Sequence, residues 1–151
     1  MSPSSRIDYG SKVPIELLRD PKFYLENFTK LKTKEDGLAQ FKLYNHQLHF
    51  FNALSKYNKI IIRKARQLGM SAAAAGWIFH RAVTYPGTNA AIISYDSEQA
   101  TEILDKIKTF METLPPELRP SVKNDSSRVL SFDRMNPPIR LFAAKTPPGA
   151  A

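Results

Sequence analysis

"KIIIRKARQLGMSAAAAGWIF", residues 59–79, is the stretch on which the fold turns. Its run of isoleucines, Ile60 to Ile62, is β-branched and apolar, and it suits a short strand buried on both faces. "SAAAAGWIF" reads as the start of a helix, because alanine loses no side-chain entropy on becoming helical. The residues between, "RKARQLGMS" (63–71), are then a strand-to-helix loop, the position of a phosphate-binding loop. The usual pattern for that loop, G-x-x-x-x-G-K-[ST], is half present. Gly69 and Ser71 fit, whereas Met70 stands in the lysine position and Lys64 in that of the first glycine.

A phosphate cradle needs backbone amides at a helix start, whose dipole favours an anion. It also needs a glycine that lets the backbone come close. A hydroxyl just inside the helix then helps to hold Mg²⁺ against the phosphates. Gly69, the amides around Met70 and Ser71, and the Ser71 hydroxyl supply these in order. Met70 cannot supply the cation, but Lys64 and Arg66 can if the loop's first half wraps back. A charge-assisted hydrogen bond contributes about 1.5–3 kcal/mol, so loss of the cation would weaken binding by about one to two orders of magnitude. Arg66 is also placed to meet charge developing on a γ-phosphate. The competing reading is a plain turn whose glycine serves geometry alone.

Outward from the loop, "DP" at Asp20–Pro21 resembles a cap and first helical position, so "PKFYLENFTKL" is expected to be a short helix ended by "KTKEDG". Asn45 is a candidate cap for "HQLHFFNALSKY", where Leu48, Phe51 and Leu54 recur at helical spacing. "AAIISY" reads as a second buried strand and "SEQATEILDKIKTFMETL" as a long helix with Ser97 as cap. "RVLSF" and "IRLFAA" are further strands. The alternation predicts an α/β layered domain with a mostly parallel sheet. Residues 1–36 read as a lead-in with a short helix, and 37–151 as the domain proper.

The chain has 151 residues, enough for one domain with a core. Its formal charge of +8 and pI near 9.8 point to an acidic partner, nucleic acid foremost. The basic residues are scattered, and no single arm marks a DNA site. Cysteine is absent, which excludes disulfides and cysteine-ligated zinc. "MSPSSRIDYG" lacks the apolar stretch of a signal peptide, and "SAAAAGWIF" is halted by His80 and Arg81, short of a membrane span. These features predict a soluble intracellular chain. His46 and His49 have a spacing metals use, but a surface or half-buried pair is expected without a third ligand. Trp77 and Phe79 are expected in the core, and Lys106 and Lys108 on a solvated helix face.

The order of features resembles the N-terminal ATPase domain of the large terminase subunit of tailed bacteriophages. "YNHQ" (44–47) precedes "ARQLGMS" (65–71) by one helix; "YDSEQATEILDKI" (95–107) follows the next strand, and "LPPELRP" (114–120) leads to a strand pair. The resemblance runs from about residue 40 to the end. It implies a RecA-like P-loop NTPase that binds ATP and Mg²⁺, assembles as a ring on the portal protein with the small terminase subunit, and pumps double-stranded DNA into a procapsid. Such a motor works in the host cytoplasm and is not expected in the mature virion. The resemblance assigns adenine reading to Gln47 with Tyr44 beside the base, and the loop to Gln67, Leu68, Gly69, Met70 and Ser71, with Mg²⁺ at Ser71. Lys64 matches a displaced loop lysine, and Arg66 a catalytic arginine at the γ-phosphate.

The sequence departs from the family pattern in lacking a convincing Walker B strand with its acidic pair. "KTPPGAA" is a loop where the family's chain would continue, so a fragment with little hydrolysis of its own is expected. "AIISYD", ending at Asp96, is a rival for the missing acid, although acids there also suit a helix start. Two further readings stay open: a non-catalytic basic module that binds nucleic acid or a partner, and a helicase-like ATPase.

Overall fold

The computed structural model describes residues 13–33, 37–85, 87–94, 96–126, 128–132 and 139–145. Residues 1–12 and 34–36 of the expected lead-in and the 146–151 tail lie outside them. The described residues mix helix and strand, as an α/β reading requires. Helices α1 (Ile15–Arg19) and α2 (Pro21–Phe28) are followed by an antiparallel hairpin of β1 (Lys30–Thr33) and β2 (Gly37–Gln40). Then come α3 (Asn45–Lys56), α4 (Met70–Thr84), β3 (Asn89–Ser94), α5 (Ser97–Thr113) and the strands β4 (Val122–Asp125), β5 (Val129–Phe132) and β6 (Ile139–Lys145). The 36/37 division falls at the start of β2.

Helix α2 starts as expected, with the Asp20 carboxylate accepting from the Lys22 amide at 3.1 Å and Pro21 in the first turn. It stops earlier than expected, because Thr29 turns to extended backbone (φ −121°) and β1 begins. The cap of α3 is Tyr44 rather than Asn45, and that of α5 is Asp96 rather than Ser97. Asp96 accepts the Glu98 amide at 3.0 Å. Its carboxylate thus serves the helix start, the ordinary role of an acid there.

Two expectations about the sheet are corrected. Residues 59–63 form no strand: Ile61 is 99% exposed, and no described strand lies beside the segment. A β-branched run is only competent to pair, and a ladder needs a neighbour. The four-stranded sheet has the order β3-β6-β5-β4, and β3–β6 is its one parallel pairing. β4–β5 and β5–β6 are antiparallel. Short links join these strands, and only antiparallel neighbours can be connected so briefly. β4 and the first hairpin were not legible, since "SVKND" and "KLKTKEDGLAQ" carry few apolar residues.

Helix α5 organises the core. Its buried residues Ala100, Leu104, Ile107 and Met111 recur at spacings that mark one helix face. The helix packs against α4, β1, β3 and β6. Phe110 lies between Phe41 and Phe79, with ring centroids at 5.4 and 5.9 Å. Burying each such ring contributes about 1.5–3 kcal/mol. Ala73 and Ala75 are fully buried, so the alanine run gives α4 close contact as well as helix propensity. Trp77 packs edge-on against Phe51 at 5.1 Å, and Phe79 is fully buried, as their positions in the helix predict.

His80 is buried beneath Tyr24 and Tyr85. Its Nε2 donates to the Leu18 carbonyl at 2.9 Å, which ties α4 to α1. Its Nδ1 has no partner among the described residues. Burial pushes the imidazole pKa down, only partly offset by the Leu18 hydrogen bond and Asp20, while Arg81 adds to the lowering.

Candidate nucleotide-binding site

The loop reaches α4 through two left-handed residues, Gln67 (φ 59°) and Gly69 (φ 67°). A non-glycine residue is uncommon at such angles, and alternation of hand in a turn points successive amides toward one side. Gly69 is required twice over. Its positive φ disfavours any side chain, and a Cβ there would lie 2.8 Å from Gln47 Nε2.

Gly69 caps α4 without a side chain, and the first backbone amide engaged at this end is that of Ala73, which bonds the Gly69 carbonyl at 3.0 Å. Among the described residues, the amides of Met70, Ser71 and Ala72 therefore stand open at the positive end of a fifteen-residue helix. No acidic residue sits in that first turn. Ser71 is exposed with its hydroxyl unengaged among the described residues, whereas Met70 is buried. Met70 lines a groove together with Lys64, Ala65 and Leu68 of the loop.

The first turn of α3 clasps the loop. His46 Nε2 donates to the Leu68 carbonyl at 2.8 Å, and Gln47 Nε2 donates to the Gly69 carbonyl at 2.9 Å. Gln47 Oε1 also accepts the Tyr44 amide at 2.9 Å and so closes the α3 start. With 2% exposure, Gln47 has both ends of its amide committed within the protein. The family resemblance implies a base contact for Gln47; in this arrangement it spans two structural elements. His46 is exposed, as expected, and makes a second contact to the loop. The (i, i+1) pair His46–Gln47 opposite successive carbonyls is a signal that no periodicity in the sequence reveals.

Tyr44 is 67% exposed and its ring lies parallel to that of His46, 6° apart in plane with centroids at 5.8 Å. An aromatic face is thus open to solvent beside the loop. Lys64 and Arg66 are both exposed. Lys64 Nζ donates to the Ala65 carbonyl at 3.2 Å, and the Arg66 guanidinium has no protein partner among the described residues. Hydrogen bonds thus set the first turn of α3, with Tyr44 and Gln47, against Leu68 and Gly69, while Lys64, Arg66 and Gln67 precede them in the loop that leads to Met70 and Ser71. Gln47 is a support between α3 and the loop, and the two cations and Ser71 lie exposed. Among the described residues no group of three or more His, Cys, Asp or Glu side chains could hold a metal by itself. A Mg²⁺ here would lean on phosphate oxygens and the Ser71 hydroxyl.

No protein-family model matches the chain, and no curated protein matches it significantly.

Proposed function

We propose that the chain binds ATP with Mg²⁺ through the 63–71 loop, as the nucleotide-binding part of a DNA-packaging motor of the terminase large-subunit class. The observation that carries the first half is the uncapped start of α4, approached through left-handed Gln67 and Gly69, with Lys64 and Arg66 exposed in the same loop. Such a helix end stabilises an anion through its open amides and dipole. Lys64 exchanges the weak Ala65 contact for a phosphate oxygen, and Arg66 meets the terminal phosphate. Ser71 holds Mg²⁺, and the outer face of Tyr44 takes the base. The order of motifs around the loop and the charge of +8 support the second half, coupling of hydrolysis to movement of double-stranded DNA in a ring on the portal with the small terminase subunit. Fold at the level of a RecA-like P-loop domain belongs to the same proposal. Among the described residues no helix is long and apolar enough to cross a membrane.

In this reading hydrolysis by the 151-residue chain is slow, because no carboxylate is assigned to polarise the attacking water and Asp96 is occupied at the α5 start. The deciding measurement is calorimetric titration with Mg²⁺ and a non-hydrolysable ATP analogue. Micromolar binding that Arg66→Ala or Lys64→Ala weakens by about tenfold, the loss of one charge-assisted contact, is the expected result. Absence of binding would refute the nucleotide reading. If DNA affinity then fell with salt in proportion to phosphates neutralised, the basic-module reading would replace it.

A further inference from the structure

The scatter of basic residues conceals an asymmetry among the acids. Residues 37–95 hold none of the 14 Asp and Glu but seven of the 22 Lys and Arg, which leaves fifteen basic against fourteen acidic residues elsewhere. The net charge of +8 therefore comes almost wholly from α3, the loop, α4 and their flanks. Lys64 and Arg66 belong to the loop, and a second group stands at the other end of the two helices. Both helices start at the loop, where Gln47 holds Gly69, and meet again where Phe51 packs on Trp77, so both run away from it. Their last turns carry Lys56 and Arg81, about 6–8 Å of helix rise beyond that contact. Tyr57, 64% exposed, turns the chain into extended backbone, and Lys59 is exposed two residues on. Arg81 is already ordered: its guanidinium lies 4.3 Å over the Tyr85 ring and 6.0 Å from that of Trp77. Stacking uses the face of a guanidinium and leaves its edge donors free. Lys56, Lys59 and Arg81 have no carboxylate partner among the described residues. A cation in a last turn also complements the helix dipole, but that role calls for neither Lys59 nor an exposed tyrosine.

We propose that Lys56, Tyr57, Lys59 and Arg81 form a contact surface for the sugar–phosphate backbone of duplex DNA, at the end of α3 and α4 away from the 63–71 loop. The proposal rests on the DNA half of the function above and gives that half a place on the chain. Lys56 and Lys59 meet phosphates as mobile point charges, and Arg81 meets one as a preset fork. The Tyr57 hydroxyl donates to a phosphate oxygen, with its ring against a deoxyribose. Contacts of this kind read no sequence, as movement along DNA requires. An acidic polypeptide would meet the same cations, but a stretch without acids offers it no alternating charge to fix its register. Helix rise places Lys56 about 14 Å from Gln47, so surface and loop can be occupied independently. The corner precedes Ile60–Ile62 and stays outside any strand that those residues form.

The test measures binding of the full chain to a short labelled DNA duplex of arbitrary sequence, without nucleotide, between about 50 and 200 mM salt. Lys56→Ala/Lys59→Ala/Arg81→Ala removes three phosphate contacts, so the slope of log affinity against log salt should fall by about 2–3. Affinity at the low-salt end should drop about tenfold or more. Lys30→Ala/Lys32→Ala/Lys123→Ala removes the same charge from exposed sites outside the acid-free stretch, and should change affinity by less than about twofold. Tyr57→Ala should weaken binding by about threefold and leave the salt slope unchanged, because it removes no charge. Denaturation midpoints, read alongside, separate loss of contact from loss of fold. Equal losses from the two triple variants would show diffuse attraction and overturn the proposal while the DNA reading stands. Equal competition by polyglutamate would assign the surface to an acidic polypeptide and overturn it as well. If the parent chain shows no salt-dependent duplex binding, the proposal falls together with the DNA half of the function. None of these readouts depends on whether the loop binds ATP.

Discussion

Truncation of Gln47 to alanine tests the site most directly, because the structure and the family resemblance give that residue different work. Gln47 makes two hydrogen bonds, from Nε2 to the Gly69 carbonyl and from the Tyr44 amide to Oε1, both at 2.9 Å. Each neutral bond is worth about 0.5–1.5 kcal/mol net, so losing both costs about 1–3 kcal/mol. The buried stem adds about 1 kcal/mol of lost packing. Tyr44 and the loop are exposed, so water can reach the freed groups, which favours the lower half of that range. About 2 kcal/mol is therefore expected from urea denaturation, with faster amide exchange at Leu68 to Ala72. Loosening the loop should weaken an ATP analogue and inorganic triphosphate by the same factor, since both bind through the phosphates. A residue that read the base would instead leave triphosphate affinity intact. A stability loss below about 0.5 kcal/mol, the floor for even one such bond, together with unchanged triphosphate binding, would refute the clasp.

Three further outcomes follow from neighbouring geometry. Gly69→Ala forces a side chain into left-handed backbone, at about 1–2 kcal/mol, and pushes on Gln47 at 2.8 Å, so a total loss of about 2–4 kcal/mol is expected by denaturation. Gly76→Ala should also destabilise despite alanine's better helix propensity, because the new methyl would meet Leu25 at 2.9 Å and Phe41 at 3.0 Å. Overpacking of about 1–3 kcal/mol exceeds the helix gain of about 1 kcal/mol, and a variant more stable than the parent would show that α2 yields easily. The lowered His80 pKa means that the unfolded chain takes up a proton before the folded one does. Its contribution is therefore complete above about pH 6.5 and falls as pH drops from there toward the folded value. Stability measured from pH 8 to 5 should decline over that window, and His80→Phe should flatten that part of the profile; an unchanged slope would assign the decline to other groups.

The sequence by itself determined the local elements whose signals are local. The alanine run made α4, the apolar spacing from Ala100 to Met111 made α5, and the β-branched "AAIIS" made β3. The same reasoning located the loop residues, because glycine ahead of an alanine-rich helix has few other uses. Tertiary structure decided what depends on partners distant in the chain. Ile60–Ile62 is strand-competent by composition yet has no ladder, since pairing is set by which strand lies alongside. Whether Gln47 faces a ligand or a carbonyl, and whether His46 is idle or holds Leu68, depends on α3 packing within 3 Å of a loop some twenty residues later. Short-range propensity acts through each residue's own backbone and is written in its type. Sheet neighbours and side-chain clasps arise only when α5 draws distant segments onto one core, so they become visible only in the folded chain.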